Sequence, residues 1–299
     1  MLPKINYPLV LDGGLSNELE KSGCDLQHKL WSAKLIDKEV EKIVEVHRAY
    51  LNSGAECIIT SSYQATEAGF TNAGYSQPQA EQLILKTVWA AEEAVKLSNK
   101  KRQDVLIAAS IGPYGAFLAN GSEYTGDYMI DNAELKLFHE QRINVLDNSS
   151  ADFFACETIP SKQEAIVLNE ILLNTKKSAW ISFSCKDEAH ICDGSDLAEV
   201  AKLFTANNNV FAIGINCTAP AYITPLIKKL KEVCGDKKIV VYPNSGEVYD
   251  AGTKKWSAFD NSVSSQFLIR QWHEAGADII GGCCRTGPEQ TKIISTILQ

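Results

Sequence analysis

Eight short apolar runs alternate along the chain with segments of helical period, and this alternation restricts the possible folds more than any other feature. The runs occupy residues 9–12, 57–60, 105–110, 152–157, 180–185, 210–217, 238–242 and 277–280. Their hydrophobicity is nearly continuous instead of alternating, as in strands covered by helices on both faces. Between them Val40, Ile43, Val44, His47 and Leu51 form one apolar helical stripe. Thr224 followed by Pro225 reads as a cap and first helical position, with Leu226, Leu230 and Val233 on one face. Ile293, Ile294, Ile297 and Leu298 close the chain in the same manner. Such βα units over 299 residues predict a (β/α)8 TIM barrel forming a single domain over 1–299. An open doubly wound sheet is the alternative. Gly13-Gly14-Leu15-Ser16-Asn17, after the first run, lacks the third glycine that a dinucleotide-binding turn would need. Similar small-residue turns enter three strands, at residues 53–56, 149–152 and 275–278, as a faint internal repeat.

A barrel of this kind places its chemistry at the carboxyl ends of the strands and in the loops beyond them. Residues 62–76 and 112–131 depart furthest from the repeat and are expected over the mouth. Asp12, Thr60, Glu157 and Cys217 end predicted strands, Asn244 follows the seventh, and Cys283 and Cys284 follow the eighth. The segment Gly281-Gly282-Cys283-Cys284-Arg285 is the most informative. Its glycines would permit an unusual backbone course, letting neighbouring thiols aim at one point where a regular strand would turn them to opposite sides. With Cys217 they make three thiolates, a set that suits Zn²⁺ and leaves one tetrahedral position open for chemistry.

The competing reading is that these are packed thiols, the ordinary fate of a cysteine, and it is kept for Cys24, Cys57, Cys156, Cys185, Cys192 and Cys234. Cys156 should point away from the rim if Glu157 points into it. His47, on an apolar stripe, reads as a packing residue. Asp12 and Glu157 read as a catalytic acid/base pair, as substrate anchors, or as caps of the helices that follow them. Arg285 either binds an anionic group or braces the barrel.

Composition narrows the partners. The 37 acidic and 29 basic residues leave a net charge of −8, which repels phosphate backbones, so no nucleic-acid partner is expected. Hydrophobic content of 45% with 22% charged residues describes an ordinary globular chain and excludes disorder. No run approaches the ~20 apolar residues of a bilayer span. The first residues match neither a secretory nor a transit signal, so a cytoplasmic location without membrane attachment is expected. Nine scattered cysteines, an odd number, fit reduced thiols better than a disulfide framework. Oligomeric state is left open.

The candidate residues sit within longer stretches that resemble the homocysteine S-methyltransferase family, in detail its S-methylmethionine-using branch, over nearly the whole chain. Those stretches include Leu11-Asp12-Gly13-Gly14, Leu30-Trp31-Ser32-Ala33-Lys34, Ile59-Thr60-Ser61-Ser62-Tyr63 and Gly112-Pro113-Tyr114-Gly115-Ala116. They continue with Ala155-Cys156-Glu157-Thr158, Gly214-Ile215-Asn216-Cys217, Tyr242-Pro243-Asn244-Ser245-Gly246-Glu247 and the double-cysteine segment. Residues 123–128 look like the S-methylmethionine branch, and Ser61-Ser62-Tyr63 departs from the aromatic run of betaine users. The resemblance implies a (β/α)8 barrel with Cys217, Cys283 and Cys284 as zinc ligands. It also implies that Asp12 and Glu157 hold the amino group of L-homocysteine, with Thr60, Gly13 and Asn244 contributing to substrate binding. Trp31 matches an aromatic residue near the methyl donor in relatives that use betaine; the donor implied for this branch is a sulfonium, S-methylmethionine or S-adenosylmethionine. From the residues alone a zinc hydrolase and a non-catalytic zinc-binding barrel stay open. Three thiolates donate so much charge that metal-bound water would be a weaker acid than at a His-rich site, which weighs against the hydrolase.

Overall fold

Each apolar run becomes a strand of one parallel sheet in the computed structural model, which describes residues 3–26, 33–246, 248–250, 255–257 and 265–299. The strands are β1 (Leu9–Val10), β2 (Cys57–Ile59), β3 (Leu106–Ile111), β4 (Phe153–Ile159), β5 (Ala179–Phe183), β6 (Val210–Asn216) and β7 (Lys238–Tyr242). A short antiparallel pair, β8 (Val248–Asp250) and β9 (Lys255–Ser257), precedes β10 (Ile279–Ile280). The order β1-β10-β7-β6-β5-β4-β3-β2 follows the chain around a ring. Leu11 bridges Cys57 in parallel, while Asp12 N–H donates to the Cys57 carbonyl (3.1 Å) and Glu56 N–H to that of Val10 (2.8 Å). These contacts join the two ends, and the fold is the (β/α)8 barrel. Among the described residues no helix is long and apolar enough to cross a membrane.

Side-chain parity divides the core in two. Leu11, Cys57, Ala108, Phe153, Trp180 and Val240 fill the inside of the ring. Their sequence neighbours Val10, Ile58, Ala109, Phe154, Ile181 and Val241 belong to the outer layer beneath the helices. Both faces are dry, and for that reason the strands read as unbroken apolar runs. On the helix Val40–Asn52 the stripe Val40, Ile43, Val44, His47 and Leu51 is buried throughout. His47 is fully buried without a hydrogen-bond partner, and burial pushes its pKa down to about 4, as befits a neutral packing residue.

Two sequence expectations change. The helix after β6 runs Pro220–Val233, with Ala219 as its cap and Pro220 in the first turn, so Pro225 lies inside it and Thr224 caps nothing. Pro220 occupies the position where a missing N–H costs nothing, and burial of Ile223, Leu226, Ile227 and Leu230 holds the helix across the second proline. The faint repeat acquires a physical role. Glu56 accepts Val10 N–H (3.1 Å), Asp152 accepts Ile107 N–H (2.7 Å) and Asp278 accepts Ile239 N–H (2.9 Å). Each acid at a strand entrance thus satisfies a backbone donor of the neighbouring strand.

Gly214 on β6 shows how tightly the ring is drawn: a Cβ there would lie 1.7 Å from the Val240 carbonyl oxygen. The obstacle is backbone, which cannot swing aside. Gly214→Ala is therefore expected to destabilise the protein by about 3 kcal/mol or more, read as a lowered midpoint in urea; an unchanged midpoint would mean that the barrel can spread at this point.

Candidate active site

The same parity that fills the ring with apolar groups lower down places polar ones at its carboxyl-terminal end. Ser110, Glu157, Ser182, Asn216 and Tyr242 are all buried there. Ser110 donates to Glu157 Oε1 in a short hydrogen bond. Ser182 Oγ donates to Asn216 Oδ1 (2.8 Å) and pairs with the Tyr242 hydroxyl (2.7 Å), which also accepts from Trp180 Nε1 (3.1 Å). Asn216 exchanges two hydrogen bonds with Thr158, both 2.7 Å. Sequence reasoning gave no role to Ser110, Ser182, Asn216 or Tyr242. Their one-in-two spacing from inward apolar residues was the available signal.

Above this floor lie the cysteines. Cys217 follows the last residue of β6, and Cys283 and Cys284 follow β10 beyond Gly281-Gly282. Their sulfurs converge: Cys217 to Cys283 is 2.6 Å, Cys217 to Cys284 3.5 Å and Cys283 to Cys284 4.0 Å. All three are part-buried, unpaired and able to offer one ligand atom each to a metal ion. The convergence has a backbone cause, though a different one from that expected. Gly281 and Gly282 are not left-handed; they make room, since a Cβ on Gly281 would lie 2.4 Å from Leu11 Cβ and one on Gly282 2.1 Å from Thr286 Oγ1. The left-handed residues are Cys217 (φ 49°) and Arg285 (φ 64°), with Thr158 (φ 60°) beside Glu157. Non-glycine residues persist in this region where surrounding contacts over-determine the backbone, a pattern concentrated at functional sites. Here Cys217 N–H donates to Tyr242 O (3.2 Å), Cys283 N–H to Pro243 O (2.8 Å) and Arg285 N–H to Asn17 Oδ1 (2.6 Å).

Neither carboxylate caps a helix, because Gly14 and Ser161 hold those positions. Asp12 Oδ2 accepts Ile59 N–H (2.9 Å) across the seam between β1 and β2. Glu157 faces Ser110 and Tyr242, while Cys156 turns to the outer core. Thr60 Oγ1 accepts Ser110 N–H (3.1 Å) and pairs with Ser62 (2.7 Å), so its hydroxyl joins β3 to the loop after β2. Gly13 lies under Thr286, whose carbonyl would be 2.5 Å from a Cβ. Asn244 donates its N–H to Thr218 O (3.3 Å), and its Oδ1 is buried without a hydrogen-bond partner among the described residues. Arg285 is exposed. Trp31 lies outside the described residues.

Two buried groups fasten the loops over this end. Arg142 donates to the carbonyls of Ser62 (3.2 Å), Tyr63 (2.8 Å) and Gly112 (2.6 Å), tying the loop after β2 to the one after β3. Glu164 accepts Tyr114 N–H (2.7 Å), the Tyr128 hydroxyl and His139 Nε2 (2.7 Å), pinning both ends of the second loop.

The charge balance is one-sided. Burial pushes Asp12 well above the carboxylate range, with Glu157 adding repulsion, and it pushes Glu157 up to about 7 despite hydrogen bonds from Ser110 and Tyr242. Hydrogen bonds from Cys217, Cys283 and Tyr124 draw the Cys284 thiol well down, whereas Cys283, which shares protons with both other sulfurs, is driven well up. Ionising the three thiols and both carboxyl groups together would call for cations.

A barrel with three convergent cysteines and two buried carboxylates at its mouth is the architecture of a metal-site enzyme. The chain belongs to the homocysteine S-methyltransferase family, whose sequence pattern it matches over residues 9–298. It is 46% identical over 297 residues to homocysteine S-methyltransferase YbgG of Bacillus subtilis, covering 97% of this chain and 94% of that protein. It is 43% identical over 285 residues to homocysteine S-methyltransferase of Escherichia coli, covering 94% and 92%. Among solved structures it superposes on the metallated form of the homocysteine methyltransferase MmuM from Escherichia coli with a TM-score of 0.86 at 39% identity, covering 97% and 96%.

The Glu157 shift has a direct consequence for stability. In metal-free protein the folded state holds this proton more tightly than the unfolded chain, so the stabilisation present below the ordinary glutamate pKa near 4.5 is lost as pH rises through about 7. Glu157→Gln carries no such loss. Its unfolding free energy relative to the parent should rise between pH 5 and pH 8 by up to ~3 kcal/mol; denaturant titrations showing a constant difference would refute the shift.

Proposed function

We propose that this enzyme transfers a methyl group from a sulfonium donor, S-methylmethionine or S-adenosylmethionine, to the thiolate of L-homocysteine, forming methionine at a zinc site held by Cys217, Cys283 and Cys284. The observation that carries the reading is the meeting of three sulfurs from two strand ends above two buried carboxylates. Two of the sulfur separations, 3.5 and 4.0 Å, bracket the ~3.8 Å edge of a tetrahedral zinc–sulfur centre, and the third is closer. An all-thiolate donor set is soft and favours zinc over magnesium or calcium. Bound zinc would supply the positive charge that keeps the substrate sulfur ionised at neutral pH, where a free thiol of pKa about 8.5 is mostly protonated.

The chain's own residues do the rest. Asp12 and Glu157 offer two carboxylates to the α-ammonium of homocysteine, and its positive charge offsets the repulsion between them. Ser110 and Tyr242 orient Glu157, and Ile59 N–H orients Asp12. Thr60, Gly13 and the orphan Oδ1 of Asn244 complete the proposed amino-acid pocket, with Trp31 on the donor side. Tyr124 donates to the Cys284 sulfur and holds that thiolate in place. In the transfer the homocysteine sulfur forms a bond to the methyl carbon while the carbon–sulfonium bond breaks, its electron pair returning to the donor sulfur. The leaving group is a neutral thioether, so no acid catalyst is required, and alignment of the three atoms is the main catalytic task. With S-methylmethionine the products are two methionines; with S-adenosylmethionine they are methionine and S-adenosylhomocysteine. A site of reduced thiols suits a reducing compartment such as the cytoplasm.

Replacing Cys217, Cys283 or Cys284 by alanine is expected to abolish both bound zinc and methionine formation, whereas Cys234→Ala keeps both. Metal analysis and a methionine assay on the reduced proteins check this, and full activity in any of the first three would overturn the ligand set. Asp12→Asn should raise the KM for homocysteine roughly 10-fold or more while sparing the donor KM; equal KM values for homocysteine in the two proteins would remove its anchoring role.

A further inference from the structure

The loop after β3 brings one more carboxylate to the mouth, and it is incompletely satisfied. Glu123 lies in the short turn Ser122–Tyr124. Its backbone is fixed closely: a Cβ on Gly115 would lie 2.5 Å from Glu123 N, and Ser184 Oγ donates to the Glu123 carbonyl (3.3 Å). Backbone N–H groups of Gly121 and of Glu123 itself donate to the carboxylate. Its Oε2, however, is buried with no hydrogen-bond partner among the described residues. Desolvation and the nearby Cys284 raise its pKa, and among the described residues no ion pair reaches it. Tyr63 and Tyr124 lie within electrostatic reach of both this carboxylate and the cysteines.

A buried acceptor of this kind needs an N–H or O–H donor. A sulfonium donor derived from an amino acid carries two positive groups, and they differ in this respect. The sulfonium has no hydrogen to give, whereas the α-ammonium has three. We infer that Glu123 is the binding residue for the α-ammonium group of the methyl donor, accepting a charge-assisted hydrogen bond at Oε2 and making the enzyme select amino-acid sulfonium donors over sulfonium compounds that lack the amine. The inference rests on the proposed use of a sulfonium donor and adds to it which part of that donor is recognised, and by what. It leaves Asp12 and Glu157 to the other substrate.

The test compares the zinc-loaded, reduced parent with Glu123→Gln and, as a charge-retaining control, Glu123→Asp. Two ligands are used: S-methylmethionine as substrate, and its des-amino analogue 4-(dimethylsulfonio)butanoate as a competitor against it. Glu123→Gln is expected to lower kcat/KM for S-methylmethionine about 10- to 100-fold through KM, with Glu123→Asp between the two. Zinc content, thermal midpoint and the KM for homocysteine should stay at parental values. In the parent, deleting the amine from the donor should weaken binding by a similar factor; in Glu123→Gln it should weaken it little further. An equal penalty for the missing amine in both proteins, an unchanged donor KM, or a rise in the homocysteine KM instead would each overturn the assignment while leaving methyl transfer intact. A parent protein that makes no methionine from any sulfonium would overturn the functional reading itself, and this assignment with it.

Discussion

Placing sulfur and carboxylate groups together at one buried end of a barrel is electrostatically unfavourable until cations join them. Asp12, Glu157, Glu123 and three thiols share this end. Arg142, buried beside them, gives its N–H groups to the carbonyls of Ser62, Tyr63 and Gly112, so it serves the loops more than the anions. The remaining positive charge has to arrive with ligands. On the proposed function a metal, the ammonium of one substrate and a cationic donor would each bring charge that the protein withholds.

The barrel makes such an arrangement sustainable because its lower part is dry and tightly drawn. The ring is closed by Leu11 against Cys57 and narrowed at Gly214, and Phe153, Trp180 and Val240 fill it. Two residues further along the same strands, parity delivers Ala155 then Glu157, and Trp180 then Ser182. The unfavourable layer is thus carried on strands whose stability comes from elsewhere. Left-handed backbone at Cys217, Thr158 and Arg285 is tolerated for the same reason.

Much of this was legible in the sequence. All eight strands, the inward turn of Glu157 against the outward turn of Cys156, and the proximity of Cys217 to the paired cysteines follow from apolar runs and a period of two. What escaped has identifiable causes. Pro225 reads as a helix start in sequence because local propensity cannot see the buried face of Ile223, Leu226 and Leu230 that carries the helix across it. Gly281 and Gly282 suggest torsional freedom because close approach to Leu11 and Thr286 is a tertiary fact. Ser110, Ser182 and Tyr242 carry no charge, and their spacing of two from inward apolar residues gains meaning only through the hydrogen bonds they make across the ring. The loops were placed at the mouth, but the bond from Glu164 to Tyr114 and Tyr128 joins residues too far apart in the chain for any local signal.

In the proposed reaction thiolate and sulfonium carry opposite charges, and both charges vanish as the methyl group passes between them. Water stabilises the separated ions more than the dispersed charge midway, so a site that removes water and replaces it by fixed groups favours the transfer. Loops fastened by Arg142 and Glu164 can exclude water only if their own buried polar atoms are satisfied, and most are. Among the described residues Gln64 Oε1, Glu123 Oε2 and Asn244 Oδ1, with Ser61 Oγ and Arg142 Nε, are left without partners. Unsatisfied acceptors beside a closed reaction site are costly to keep. On the proposed function the substrates would supply N–H groups to Glu123 Oε2 and Asn244 Oδ1, which makes those two acceptors intelligible.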